Sequence, residues 1–435
     1  MATVQRLITA VVALLMVAGA ACADAREDMA QQVLQNWYRL TLELVRHTPT
    51  YTPPVAARTF GYLGVGAYEA VASGTPAMTT LAGQLNGLTT TPPRAAGAYD
   101  DAVILQAEMS ASVHALFFNT GPTGQRAMAA LETQMAAKAA DGVDPDTVTR
   151  SQAYGAAVAA HILDWAATDG GAQIDNLGFP RSYALNPEPG HWMPTSKIVL
   201  QQAPLLPEWG KNRPFAMPSG GTCPLPPPPE YSTDPASEYA KQAREVYDIS
   251  KSLTEDQAAI ARFWSDDAML SNTPPGHWIA VLVQVTGDRN LPLPARLNVM
   301  ARIGIVVADS FITSWHGKYA YERMRPVTYI KANIDPKWES LLTTPPFPEY
   351  PSGHSVQSGA AATVLTQLFG DNFAYEDDTN LDGLPPRQFA SFWAAAHEAD
   401  ISRLYGGIHY RAAVENGIEQ GKCVGEFTNA LKTLE

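Results

Sequence analysis

The chain has 435 residues, 46% hydrophobic and 17% charged, with a formal net charge of −13. That length exceeds what one compact core usually holds, so two helical units are expected. The acidic balance argues against nucleic acid or an anionic membrane surface as a partner.

Residues 1–23 read as a secretory signal. Arg6 gives a positive start, and Leu7 to Ala20 is a largely apolar run too short to span a bilayer. Ala21-Cys22-Ala23 fits cleavage between small residues and would leave Asp24 first. Two alternatives stand beside this: lipid attachment at Cys22, where Gly19 is a poor fit, and a buried N-terminal helix. No later stretch of the sequence has the length and apolarity of a spanning segment. The expected address is the periplasm or the medium.

Residues 24–169 read as an N-terminal helical bundle. Met29–Arg46, Ala56–Ser73, Ala102–Phe118, Gly124–Ala140 and Val148–Thr168 carry apolar residues at three- and four-residue spacing. His47, His114 and His161 fall at unrelated phases and read as surface or satisfied core residues. Residues 170–234 are dense in proline, peaking at Pro224-Leu-Pro-Pro-Pro-Pro229. Trp192, Trp209 and Tyr231 within them favour an ordered irregular connector over a disordered one. The tetrapeptide Pro-Gly-His-Trp occurs at 189–192 and again at 275–278. The repeat could mark paired positions in two halves lining one mouth; the favoured reading is that each tryptophan anchors a loop and each histidine is incidental.

Residues 235–435 form a second helical unit. Ser237–Leu253, Thr254–Trp264, Trp278–Val285 and Pro294–Ser314 are helical by periodicity, and Thr254 with Gln257 makes a capping box. Ser355–Phe369, Pro386–Asp400 and Tyr410–Leu434 complete it. No alternating strand pattern is sustained. The expected fold is therefore all-α, two bundles packed together with the site in the C-terminal one. Beyond Cys22, Cys223 and Cys423 are the only cysteines; in an oxidising compartment they can pair, tying the connector to the last helix.

The chemistry is concentrated between Trp315 and Gly417, in three blocks. These are Lys318-Tyr-Ala-Tyr-Glu-Arg-Met-Arg325-Pro326, Pro351-Ser352-Gly353-His354, and Ser402-Arg403-Leu-Tyr-Gly-Gly-Ile-His409. Together they offer one ammonium, two guanidiniums, a hydroxyl, a glycine N–H and two imidazoles. That set suits a tetrahedral oxyanion such as phosphate or vanadate. Lys318 and Arg325 are seven apart, which on one helix face would be about 10 Å along the axis; Pro326 would interrupt that helix. Ser352-Gly353 opens an apolar run, so it reads as a loop entering a helix, whose free N–H groups and partial positive charge favour an anion. Arg403 and His409 would point about 120° apart on an unbroken helix, but Gly406-Gly407 can turn the chain between them. No His-Glu-x-x-His or similar ligand spacing suggests a conventional divalent metal.

The pattern Lys-x6-Arg-Pro, Pro-Ser-Gly-His, Ser-Arg-x5-His resembles the signature of the vanadium-dependent haloperoxidase and type 2 phosphatidic acid phosphatase superfamily. Phe263-Trp264-Ser-Asp-Asp267 with Thr273-Pro274-Pro275, Trp315, and Pro345-Pro346-Phe347-Pro348-Glu349-Tyr350-Pro351 resemble its soluble haloperoxidase branch. The resemblance covers roughly residues 235–425. It implies vanadate as cofactor, with phosphate able to occupy the same site, and hydrogen peroxide and halide as substrates. His409 would be the axial ligand to vanadium and His354 the acid–base residue. Lys318, Arg325, Ser352, Gly353 and Arg403 would hold the oxygens. Asp267 would steady an arginine, and Trp315 and Phe347 would wall the site. A helix start disfavours the His354 imidazolium, while a bound anion favours it.

One departure stands out. The superfamily usually has Asp four residues after the axial histidine, and here that position is Ala413. Another acceptor must then fix the His409 tautomer; Glu415, Asn416 or a carbonyl are the nearby options. The expected activity is oxidation of bromide and iodide, with chloride resting on Phe347 alone. The alternative is an exported acid phosphatase working through a phosphohistidine at His409. A third reading is an oxyanion-binding protein without turnover. A homodimer is an open option.

Overall fold

The computed structural model describes residues 25–172, 183–195, 203–381 and 383–434, with the backbone alone for 2–24 and 173–174. The signal-sequence and Cys22 readings concern side chains outside the described residues. The helix backbone there is continuous with α1 (Ala2–His47).

The first half contains α2 (Pro53–Ala72), α3 (Asp101–Leu116), α4 (Pro122–Ala140), α5 (Pro145–Ala166) and the short α6 (Gly171–Ile174). Their starts follow from local chemistry. Asp100 and Asp144 accept from the N–H groups of Val103 and Thr147 at 3.1 and 3.0 Å, satisfying donors that the first turn leaves free. Proline opens α2, α4 and α5, where its missing N–H costs nothing.

The second half runs α7 (Glu238–Lys251), α8 (Glu255–Phe263), α9 (Thr273–Asp288), α10 (Leu293–Tyr321), α11 (Pro326–Asn333), α12 (Gly353–Phe369), α13 (Phe392–Tyr405) and α14 (Arg411–Asn429). The capping box at Thr254 and Gln257 is formed on both arms. Between α12 and α13 lies an antiparallel pair, β1 (Tyr375–Asp377) and β2 (Arg387–Phe389), with Tyr375 opposite Phe389.

Helix α10 is the spine. Contrary to the expectation that no later stretch has the length and apolarity of a spanning segment, α10 has both, alone among the described residues, yet that stretch is wholly buried inside the protein. Its most extensive contact is with α2. Glycines bring the two backbones together: a Cβ on Gly304 would lie 2.4 Å from the Phe60 carbonyl oxygen, and one on Gly64 would lie 2.8 Å from that of Met300. One hydrophobic cluster consequently runs from α1 through α10 to α14. The connector joins it too. The N–H groups of Phe215, Ala216 and Met217 donate to the buried Asp309 carboxylate of α10 at 2.6, 2.8 and 3.1 Å.

The structure forms the Cys223–Cys423 disulfide, with Cα atoms 5.8 Å apart. Two local expectations are corrected. Lys318 and Arg325 do not share a helix: α10 stops at Tyr321, Glu322 takes a left-handed conformation (φ 44°), and Arg325 is the N-cap of α11. The helix expected over Pro386–Asp400 starts only at Phe392, because residues 387–389 pair as β2 and Ser391 then caps α13. Both differences come from segments too short to show a period.

Candidate oxyanion site

Five chain segments converge beneath the C-terminal end of α10. Lys318 sits in its last turn, and the left-handed Glu322 turns the chain so that Arg325 points back toward it. Ser352 caps α12, its hydroxyl accepting from Ser355 N at 3.3 Å and from Ser355 Oγ at 2.8 Å. Its own hydrogen is thereby left to donate. Gly353 and His354 are the first two residues of that helix, where N–H groups lack intrahelical partners. Arg403 lies in the last turn of α13. Gly407 (φ 74°) makes a turn that L side chains rarely adopt, with Trp338 packed on it, and His409 follows just ahead of α14.

The cations are buried and anchored by carbonyls. Lys318 Nζ donates to the carbonyls of Pro348 and Glu349 at 3.1 and 3.2 Å and to that of Pro351. Arg325 donates to Phe347 O at 3.0 Å and Ile408 O at 2.8 Å. Arg403 Nη1 donates to Trp264 O, and to His354 Nε2 at 3.0 Å. Burial, then mutual repulsion with Arg325, holds the Lys318 ammonium well below its usual range. Burial lowers Arg325 to about 9 and Arg403 to about 10. Three buried cations with weakened charge are a site that an anion would stabilise.

The two imidazoles differ. His409 is 4% exposed and held on both sides: Arg325 Nη1 donates to Nε2 at 3.1 Å, and Nδ1 lies 2.9 Å from Glu349 Oε1. Burial, with Arg325, Lys318 and Arg403, keeps it well below the usual histidine range, hence neutral. His354 is 15% exposed, with Nε2 between the Arg403 donor and Asp266 Oδ2 at 3.5 Å. Burial, then Arg403, lowers it to about 4.

The structure thus brings Lys318, Arg325, Ser352, Gly353, His354, Arg403 and His409 together. Trp315 and Phe347 pack 4.9 Å apart, and the Phe347 ring lies 5.0 Å from Lys318 Nζ and 5.1 Å from the Arg325 guanidinium. Asp267 is exposed, though its charge still acts on Arg403. The carboxylate that reaches the site is its neighbour Asp266, buried against His354.

Two residues were invisible as site members in the sequence. Glu349 faces His409, whereas Glu415 pairs with Arg411 at 3.4 Å and Asn416 donates to Tyr350 at 3.0 Å. His277, expected to be incidental, is buried between Asp266 and Asp377. Both tryptophans of the repeated tetrapeptide are buried, but only Trp192 lies in a loop; Trp278 is within α9 and donates to Ser358 Oγ at 3.1 Å.

A solved structure of a bacterial vanadium-dependent iodoperoxidase is 38% identical to this chain, with a TM-score of 0.85. The match covers 93% of this chain and 97% of that one. The chain belongs to the vanadium-dependent haloperoxidase family. Residues 298–433 match the family description of the VCPO second helical-bundle domain. Vanadium chloroperoxidase of Curvularia inaequalis is 25% identical over 219 residues, a span of 36% of each chain. A holo-type bacterial vanadium-dependent chloroperoxidase shares the haloperoxidase fold at a TM-score of 0.68 and 17% identity, over 89% of this chain and 94% of that one.

The donor set fits vanadate by its own chemistry. Arg325 Nη2 and Arg403 Nε are buried without a hydrogen-bond partner. Buried donors of that kind are costly unless something accepts from them, and both belong to guanidiniums flanking the His409 and His354 nitrogens. A tetrahedral oxyanion supplies the acceptors that the protein does not.

Proposed function

We propose that this chain is a vanadate-dependent haloperoxidase that oxidises halide with hydrogen peroxide. The observation that carries the reading is a pair of buried guanidinium donors without a partner, on Arg325 and Arg403, beside a neutral imidazole, His409, whose Nε2 lies 3.1 Å from Arg325 Nη1. Lys318, Arg325 and Arg403, with Ser352 Oγ and Gly353 N, would hold the vanadate oxygens. His409 Nε2 would coordinate the vanadium. When bound, vanadate supplies a Lewis-acidic centre that activates peroxide toward halide.

The chain's own residues do the rest. His354 is neutral above about pH 4, so its Nε2 can take a proton from incoming peroxide and return it to a leaving oxygen. Asp266 is the acceptor beside that nitrogen once it carries the proton. Trp315 and Phe347 wall the Lys318 and Arg325 side and keep water from it. Iodide is the halide to assay first, because the 38% identical relative is an iodoperoxidase. Bromide follows, and chloride rests on Phe347.

The test uses protein purified without phosphate, assayed with peroxide and iodide or bromide before and after orthovanadate, beside a His409→Ala control. Activity that appears with vanadate and is absent from the variant supports the reading. Hydrolysis of phosphomonoesters with phosphate trapped on His409, and no halide oxidation, would favour the exported acid phosphatase instead. Binding without either turnover would leave an oxyanion-binding protein.

Export belongs to the same proposal, with cleavage before Asp24. Its support is the apolar run of residues 7–20 and the Cys223–Cys423 disulfide. N-terminal sequencing of the mature protein tests it. The homodimer finds no support among the described residues.

A further inference from the structure

We infer that Glu349 is the positioning residue for His409, taking the place of the carboxylate that Ala413 cannot supply, with Arg323 holding Glu349 from behind. The inference deepens the functional reading above and rests on it only for its catalytic consequence.

Hydrogen bonds fix one oxygen of the Glu349 carboxylate, and an ion-pair contact without a hydrogen bond meets the other. Oε1 of Glu349 lies 2.9 Å from His409 Nδ1 and 3.0 Å from the Tyr410 N–H. On the far side Oε2 is 3.4 Å from Arg323 Nη1, and all three side chains are at most 4% exposed. The Arg323 guanidinium lies 4.4 Å from the Tyr410 ring and 5.0 Å from the Tyr239 ring, cation–π contacts that help hold it beside Glu349. At the other ring nitrogen, Arg325 Nη1 can only donate. Nε2 must therefore present its lone pair, and Nδ1 must carry the hydrogen, which Glu349 accepts. An acceptor behind a ligating imidazole fixes its tautomer, aims the ring and raises its basicity. That last effect matters here, because burial and three cations all depress His409.

Glu349 also joins this alignment to the lysine. Its own carbonyl accepts from Lys318 Nζ at 3.2 Å, and its N–H donates to Arg323 O at 2.9 Å. One short segment thus sets the His409 ring and one of the cations. At position 413 the side chain is a methyl group, and the backbone carbonyl is already used by Ser352 N at 3.0 Å.

The experiment compares wild type, Glu349→Gln and Glu349→Leu, reading the His409 ring nitrogens by 15N NMR without cofactor and the affinity for added vanadate by calorimetry. Tyr410 N–H obliges a glutamine to turn its oxygen toward Nδ1, so the glutamine variant should keep the Nδ1–H tautomer and lose less affinity. The leucine variant should lose the tautomer and bind vanadate, whose metal needs the Nε2 lone pair, about 10–100-fold more weakly. A leucine variant with the wild-type tautomer and affinity would overturn the assignment. Should that variant fail to fold, a wild-type His409 protonated on Nε2 overturns it equally. Wild type that shows the expected tautomer yet oxidises no halide with vanadate would sink the functional reading and leave the Glu349 assignment standing.

Discussion

His277 and Asp266 form a buried ion pair, with Nδ1 3.0 Å from Oδ1 and 3.2 Å from Oδ2. Asp377 Oδ2 faces the other ring nitrogen at 2.9 Å. With a carboxylate against each nitrogen, both must carry hydrogen, so the ring is an imidazolium. The line Asp377, His277, Asp266 thus presents one net negative charge to His354 and Arg403.

Removing one member of such a buried set costs about 3–5 kcal/mol, and His277→Gln is predicted to do so. Burial opposes the charged ring, but the two aspartates raise His277 well above its usual range. Burial would also raise Asp266, but His277, then His354, hold it below the carboxylate range. The raised histidine contributes fully below its unfolded value of about 6.5 and loses this as pH rises through its folded value. The lowered aspartate contributes above about 3.9 and loses this as pH falls. Urea unfolding should show the largest difference between wild type and variant near pH 5.5, shrinking toward pH 9. An equal difference at both would mean the ring is neutral.

His354→Ala is predicted to keep vanadate binding and to lower halide oxidation by about 10²–10⁴-fold. His354 lies at about 4 in the free protein, and a bound anion raises it. The acid limb of the rate should accordingly fall at or above pH 4, where the base is lost to protonation. Asp266→Asn removes the carboxylate that favours the protonated ring, so it should move that limb to lower pH. A limb unmoved by the asparagine would separate Asp266 from the acid–base step.

The seven-residue constellation was legible because each block packs several functional groups into one short run. Its second layer was not. His409 and Glu349 stand 60 positions apart, and nothing in the proline-rich run ending at Pro351 signals a buried acceptor. The candidates nearest in sequence, Glu415 and Asn416, lie downstream of His409 and face other partners. His277 meets Asp266 11 positions away and Asp377 100 positions away, through a loop and a three-residue strand. The helices were legible by period down to the nine residues of α8. The eight-residue α11 and the strand pair were too short to register.

The disulfide closes a loop across a separation of 200 residues. Constraining so much of the unfolded chain is worth roughly 2–5 kcal/mol. Reduction, or the paired change Cys223→Ser with Cys423→Ser, should lower the midpoint of thermal unfolding. Halide oxidation at room temperature should persist, because neither cysteine belongs to the oxyanion site. Loss of activity in a still-folded reduced protein would show that the connector governs the site.

Sulfate is a useful probe of the cation cluster, since its charge is constant across neutral and alkaline pH. Bound to the native state alone, a tetrahedral anion at 100 times its Kd stabilises by about 2.7 kcal/mol, visible as a rise in the unfolding midpoint. Arg403→Ala and Arg325→Ala should each abolish most of that rise. Burial and Arg325 hold Lys318 well below the usual lysine range, so its charge is lost at lower pH than in a surface lysine. Sulfate affinity should therefore fall as pH rises from 6 to 8, below the range where Arg325 itself loses charge, and Lys318→Met should bind weakly with no such slope. Wild-type affinity that stays flat over this range would mean the ammonium keeps its proton, with its carbonyl partners at Pro348, Glu349 and Pro351 outweighing its burial.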